Sequence, residues 1–490
     1  MNTISDKLKK SGFWQSVEVI TLIITRFVFF AIMARLLSKE DFGLMAIASG
    51  FIAVGSIFAE SGMGSALIQR KNISARHINA AFQGSFLFGF IFFVLMLAFA
   101  PLASRFFEEP ELILLIRVIG INLIALSISS VAIGVLHRNF QFKEASIVTI
   151  ASCIISYSVG VYLGTENYGV WSLVIATLLF TMFKSVGFFY FAKVKLLFEF
   201  NYKEWKDLFS FGSGMILLKT TSFLSSSGLN LFLGKILSPT LLGVFDRASY
   251  IKTIPSVYFG NILDKIMFPA MSEIQDEEEK LSKIFEFGIG LSNSVLMPLT
   301  VFLVFFSNEV VQILLGNQWN ETVLLLQIMF CVIPFSISGR MADSVIRSKG
   351  LIYSNVKRKL IYVCFLLITV TTSAKFYGLI GAAIAVTVSY MFNYILVVIL
   401  VKRIFNKTFQ ELFLKPMIPA IKLSIVLAVI VIVFKSLFNI WGGSDLLCFI
   451  TSIVFLSGLL LFLAYKYPSY LGEYNRVTIE KVLKKKHKSN

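Results

Sequence analysis

The chain has 490 residues, 57% of them apolar and 15% charged, with a mean hydropathy of +0.80 and a formal net charge of +17. Soluble domains run at about 45–50% apolar and about 25% charged, so a water-soluble, disordered or collagen-like chain is excluded. At roughly 20 residues per span, the chain has room for about 12 to 15 transmembrane helices and little else.

In chain order, a polar run from Met1 to Lys10 precedes the first apolar segment. That segment is long and interrupted by Glu18 and Arg26, which does not suit a cleaved signal peptide. Fourteen segments reach spanning length, at 12–37, 41–66, 79–103, 111–136, 145–164, 168–192, 208–234, 240–270, 284–306, 322–346, 360–376, 378–401, 416–437 and 444–465. The seventh and eighth carry the most polar residues. The resulting expectation is an all-α polytopic membrane protein. It has a six-helix lobe at 1–193, a cytoplasmic linker at 194–207, a second six-helix lobe at 208–402, two further helices within 403–466, and a basic tail at 467–490.

Charge gives the orientation. With the N-terminus cytoplasmic, two thirds of the 45 Lys and Arg fall on the cytoplasmic side, and most of the others lie within spans. Both termini are therefore expected in the cytoplasm, and the net charge describes a cytoplasmic rim, not a nucleic-acid site. Trp14, Trp171, Trp205, Trp319 and Trp441 fall near span ends, where interfacial aromatics belong. Cys153, Cys331, Cys364 and Cys448 sit in apolar stretches and suggest no disulfide framework, and the three His are too scattered for a metal site.

The sequence also repeats. Leu36-Leu37-Ser38-Lys39-Glu40-Asp41-Phe42-Gly43 can be laid over Ile236-Leu237-Ser238-Pro239-Thr240-Leu241-Leu242-Gly243, continuing to Ala48-Ser49 and Ala248-Ser249. Asn167-Tyr168-Gly169 similarly resembles Phe376-Tyr377-Gly378. Spans one to six thus lie over seven to twelve, and an even number of spans makes the copies parallel, about an axis along the membrane normal. Such a duplication places a substrate site between the halves.

Charge in hydrocarbon is costly and marks a cavity or a partner. The bases within spans are Arg26, Arg117, Lys184, Lys219, Arg247, Lys252, Lys265, Arg340 and Lys422; the acids are Glu18, Glu60, Asp246, Asp264, Glu286 and Asp343. Lys265 and Lys422 lie near span ends and can snorkel. Arg340 and Asp343 are three apart on one helix face and would neutralise each other. Arg26 and Lys219 lie mid-span in the first helix of each half. Lys219, Ser222, Ser226 and Asn230 form one stripe at helical spacing, while Gln15, Glu18, Thr25 and Arg26 share an arc of the first span. Such groups line water or another helix. Pro255, Pro298 and Pro334 fall inside spans of the second half, and Gly160 and Gly164 form a GxxxG pair.

No GxxxxGK[ST] loop, hydrolytic triad or large outer loop is present, so direct ATP use and catalysis are not expected. Arg117, Arg247 and Lys252 join Arg26 and Lys219 as candidate cations for a phosphate-bearing ligand. Glu18, Glu60 and Asp246 are the candidates for coupling to protons or sodium. No other cofactor is expected.

Gly243-Val244-Phe245-Asp246-Arg247-Ala248, Ile254-Pro255 and the run from Met267-Phe268-Pro269 to Gln275-Asp276 resemble the Wzx-type polysaccharide exporters. These belong to the multidrug/oligosaccharidyl-lipid/polysaccharide (MOP) superfamily, here the branch of the colanic-acid and teichuronic-acid exporters. Ala66-Leu67-Ile68-Gln69-Arg70-Lys71, His137-Arg138-Asn139-Phe140-Gln141-Phe142-Lys143 and Leu315-Gly316-Asn317-Gln318-Trp319 fit the same pattern. The resemblance covers about the first 400 residues and implies two six-helix lobes around a central cavity, with two extra helices. It also implies a monomer of the bacterial inner membrane that flips an undecaprenyl-pyrophosphate-linked oligosaccharide to the periplasmic leaflet by ion-coupled alternating access, alongside glycan polymerase or assembly partners. Flippases of the peptidoglycan precursor use cavity arginines in their first and eighth helices, and Arg26 and Arg247 lie on the comparable helices. The alternatives are a drug or cation antiporter of the same fold and a membrane-embedded glycan polymerase or ligase. A cationic drug favours an acid-dominated cavity, and an enzyme needs a sizeable outer loop.

Overall fold

A computed structural model describes residues 4–60, 62–70, 72–194, 202–440, 447–449, 451–453 and 458. Lys71, Trp441, most of the predicted last span and the basic tail lie outside the described residues. The fold is about 90% helix without strands among the described residues. The chain divides into two compact units, Met1–Asp246 and Arg247–Asn490, each described by itself.

The first unit holds α1 (Ile4–Leu36), α2 (Lys39–Ala59), α3 (Met63–Gln69), α4 (Ala75–Phe107), α5 (Leu112–Gly120), α6 (Asn122–Arg138), α7 (Phe142–Thr165), α8 (Val170–Ala192), α9 (Tyr202–Ser225) and α10 (Ser227–Ile236). It also holds the start of α11 (Pro239–Glu273), which continues into the second unit. The second unit carries α12 (Glu278–Phe305), α13 (Ser307–Leu314), α14 (Thr322–Phe330), α15 (Ile333–Ser348), α16 (Ile352–Phe405) and α17 (Lys415–Ile440). Among the described residues nine helices are long and apolar enough to span a membrane, and the bent pair α14–α15 makes a tenth. The 54-residue α16 is two lengths joined at Gly378, matching the adjoining spans expected at 360–376 and 378–401. The α9–α10 pair and α11 fill the seventh and eighth segments as helices, but are too polar to count as spans by composition.

Local chemistry explains the repeated motifs. Ser38 caps α2: its Oγ accepts from the Asp41 N–H at 3.1 Å, and the Asp41 carboxylate accepts from the Ser38 N–H at 2.9 Å. Ser238 plays the same part for α11, accepting from Leu241 N–H at 3.4 Å. One turn on, the two glycines let helices meet backbone to backbone. A Cβ on Gly43 would lie 1.8 Å from the Pro239 carbonyl oxygen, and one on Gly243 would lie 1.9 Å from that of Lys39. With an offset of 200 the two contacts are reciprocal. Gly169 (φ 53°, ψ −135°) and Gly378 (φ 59°, ψ −144°) also share one backbone conformation that only glycine adopts readily.

Two packing expectations change. Arg340 does not face Asp343: it lies 3.2 Å from Asn261 Oδ1 and 3.9 Å from Asp264, while Asp343 accepts from Arg358 at 2.8 Å. Tertiary partners displace the i,i+3 pair. Trp319 is fully buried and does not belong to an interfacial belt. Gly160 does sit at a tight contact, where a Cβ would approach Ala176 to 2.7 Å and Phe29 to 3.0 Å.

Candidate functional site

In the first unit α1, α3, α6, α7, α8 and α9 enclose a polar cavity of about 430 Å³. Arg26, Glu18 and Gln15 reach it from α1, where spacings of three and eight residues hold them to one arc. Glu60 enters from the end of α2, which stops where Gly62 takes a left-handed φ of 69° and the chain re-enters a helix as α3. His137 arrives from α6, Thr149 from α7, Lys184 from α8 and Lys219 from α9.

The acids have partners. Glu60 forms an ion pair with Lys219, each side chain about one third exposed. Glu18 accepts a 2.7 Å hydrogen bond from Ser146 Oγ on α7. The remaining bases differ. Lys184 is half-buried, its Nζ 5.3 Å and 5.8 Å from the ring centroids of Phe180 and Phe188. Arg26 is exposed within the cavity. Among the described residues neither has a carboxylate within salt-bridge distance. The His137 ring stacks on Phe142 at 4.8 Å.

Two motif segments meet beside this cavity. Arg138 donates to the carbonyls of Leu67 (2.6 Å) and Arg70 (2.5 Å), holding the C-terminal end of α3. Gly64 and Gly134 make the approach possible, since a Cβ at Gly64 would stand 2.1 Å from the Ser130 carbonyl oxygen. A loss of either small residue would push α3, and with it the cavity floor, away from α6.

The structure thus brings Arg26, Lys219, Glu18 and Glu60 together, and places the other predicted residues elsewhere. Arg117 is exposed on α5 and does not line the cavity. Asp246 accepts from Asn230 Nδ2 at 2.8 Å. Arg247 and Lys252 belong to the second unit, where Arg247 lies over the Tyr250 ring at 5.6 Å and the buried Lys252 over Tyr390 at 4.9 Å. The expected stripe through Lys219, Ser222, Ser226 and Asn230 is broken. Ser226 leaves helical geometry (φ −123°, ψ −94°) between α9 and α10, so Lys219 faces Glu60 and Asn230 faces Asp246. Gln15, Thr149 and His137 join the cavity although they were not among the expected ligands; the arc on α1 signalled Gln15, but only the fold brings the other two in.

No group of three or more His, Cys, Asp or Glu among the described residues is arranged to hold a metal ion. The cavity can take an anion at its bases and hydrogen-bond hydroxyls at Gln15, Thr149 and Ser129.

A family described as polysaccharide biosynthesis protein matches residues 32–324. The teichuronic acid biosynthesis protein TuaB of Bacillus subtilis (strain 168) is 22% identical over 355 residues, 71% of this chain and 73% of that one. The lipopolysaccharide biosynthesis protein WzxC of Escherichia coli (strain K12) is 20% identical over 392 residues, 79% of each chain. Among solved structures, the lipid II flippase MurJ in an inward closed conformation superposes with a TM-score of 0.71 at 16% identity, covering 91% of this chain and 98% of that one. An inward-facing multidrug resistance MATE family transporter of the MOP superfamily gives 0.60 at 17% identity, over 79% and 96%. These two likenesses show the fold.

Proposed function

The chain belongs to the family of polysaccharide biosynthesis proteins, and from that premise we propose that it flips an undecaprenyl-pyrophosphate-linked oligosaccharide from the cytoplasmic to the periplasmic leaflet. The observation that carries this reading is the cavity in which, among the described residues, Arg26, Lys184 and Lys219 meet two acids, Glu18 and Glu60. A pyrophosphate–sugar head group is anionic and rich in hydroxyls, and it needs a wet, cationic, hydrogen-bonding enclosure to leave the interface. The polyprenyl tail needs none and stays in the bilayer. A drug or cation antiporter would be served by the opposite charge balance.

The chain is a transporter and not an enzyme on this reading, with fourteen spans, both termini cytoplasmic, and residues 1–193 and 208–402 as two parallel copies of a six-helix lobe. The reciprocal contacts of Gly43 and Gly243 and the shared backbone conformation of Gly169 and Gly378 support the duplication. Alternating access moves the head group, with Arg247 and Lys252 as further cations on its way. Glu18 and Glu60 are carboxylates inside the cavity, and at least one exchanges a proton or sodium ion during the cycle.

The test is complementation of polysaccharide export in a host lacking its own exporter for the same repeat unit. Wild-type chain should restore surface polymer and clear the lipid-linked precursor. Arg26→Ala at normal membrane abundance should leave the precursor inside, and Arg26→Lys should restore export in part, keeping charge but losing the bidentate fork. Full export by Arg26→Ala would contradict the role given to the cavity.

A further inference from the structure

We infer that Lys184, acting with Arg26, forms the resident pyrophosphate subsite of this cavity, and that Lys219 is held in reserve by Glu60. The inference rests on the head-group reading above and assigns its charges. Among the described residues three Lys and Arg side chains line the cavity, and they are not equivalent. Lys219 already has its counter-charge in Glu60. Lys184 has no such direct contact: its Nζ lies near the faces of Phe180 and Phe188, half-withdrawn from water, and among the described residues Glu60 and Glu18 act on it only from beyond salt-bridge range. Ring faces offset only part of the loss of hydration of an ammonium. Arg26 likewise faces the cavity with no carboxylate in salt-bridge range among the described residues, and Glu18 accepts a hydrogen bond from Ser146.

A half-buried cation without a direct ion pair is costly to keep, and a ligand that brings negative charge into contact recovers part of that cost on binding. The half-buried Lys184 and the exposed Arg26 on one 430 Å³ cavity suit an anion with more than one charged group, within the size range of small-molecule sites. A diphosphate answers both requirements. Arg26 can grip one phosphate through its planar fork, while Lys184 contributes a point charge to the other. Glu60 then has a distinct effect: by holding Lys219 it keeps a third charge off the ligand, so that binding stays weak enough for release.

The experiment measures binding of inorganic pyrophosphate to the purified full chain in lipid nanodiscs, with sulfate as the control anion. Lys184→Met should weaken pyrophosphate binding by about tenfold or more, the worth of one charge-assisted contact. Lys184→Arg should keep most of it, and Glu60→Gln should tighten it by releasing Lys219. In the wild-type chain, which needs no substitution to fold, pyrophosphate should protect Lys184 from an amine-acylating reagent more than it protects Lys219. If the wild type prefers pyrophosphate to sulfate, yet Lys184→Met binds as well and Lys184 gains no protection, the subsite is wrong and the head-group reading stands. If the wild type itself binds pyrophosphate no better than sulfate, both fall.

Discussion

Arg358 is 4% exposed, and its guanidinium is shared among Asp343 at 2.8 Å, Asn355 at 2.8 Å and Asn393. Breaking a buried ion pair from one side strands the other charge and costs about 3–5 kcal/mol. Asp343→Ala should therefore lower unfolding stability in detergent by about that amount, whereas Arg340→Ala, whose nearest carboxylate oxygen is 3.9 Å away, should cost much less. Equal effects would show that Arg340 and Asp343 still act as a pair. Sequence reading found both residues but paired them with each other, because a one-dimensional rule sees only neighbours on the same helix. Arg358 was hidden in the basic run Lys357-Arg358-Lys359, which looks like a cytoplasmic rim until the fold buries its middle residue. The cavity was legible to a similar degree. Charge within spans pointed to Arg26, Lys219, Glu18 and Glu60, but only packing shows that Glu60 forms its ion pair with Lys219 and not with Lys184. The Lys219–Glu60 pair is partly exposed and its net contribution is modest. A double-mutant cycle on Lys219→Met and Glu60→Gln should show coupling, the double substitution being milder than the singles predict.

At the level of elements, glycine decides where helices cross and turn. Gly43→Val and Gly243→Val each place a side chain where a carbonyl oxygen already stands within 2 Å of the Cβ position. Both should reduce folded yield far more than Gly12→Val, whose Cβ position is open. Gly378→Ala tests backbone conformation instead of space, since nothing lies within 4 Å of its Cβ position while its φ is 59°. It should cost about 1–3 kcal/mol by strain alone, read as a lowered melting temperature. These positions stood out in the sequence as a repeat; what they do there, capping and close approach, follows from the geometry. The break at Ser226 had no comparable signal. In the second unit Lys435 of α17 donates to Glu309 at 2.6 Å and to the Phe305 carbonyl at 3.2 Å, where α12 gives way to α13. Glu309 is 2% exposed, so this pair pins α17 to the start of α13, where Phe306 packs with Leu423, Leu427 and Val431. Lys435→Met should loosen that attachment by leaving Glu309 without its counter-charge, and Glu309→Gln in the same chain should recover most of the loss.

For the whole molecule, the proposed topology makes a claim that can be checked without any substrate. Cysteines introduced at Glu109, Glu166 and Asn317 should react with a membrane-impermeant thiol reagent added outside intact cells, and those at Lys203 and Lys407 should be shielded. Labelling at both Glu109 and Lys407 would mean an odd number of misassigned spans between them, and labelling at Lys407 with protection at Glu109 would mean an inverted orientation. The family, the all-helical fold and most span positions were readable from hydropathy, charge and a few motifs. The polar α9, which brings Lys219 to the cavity, shows the limit of hydropathy, because a helix that lines a cavity gives up the apolar signal that identifies a span. The central claim is movement of a lipid-linked sugar across the bilayer, and reconstitution tests it most directly. Proteoliposomes containing the purified chain and an undecaprenyl-pyrophosphate-linked oligosaccharide on one leaflet should expose that sugar to a lectin on the opposite side. The account predicts transfer by the wild-type chain and none by Arg26→Ala reconstituted at equal density. Failure of the wild type to move the lipid-linked sugar under imposed proton and sodium gradients of either sign, while it transports an organic cation, would contradict it.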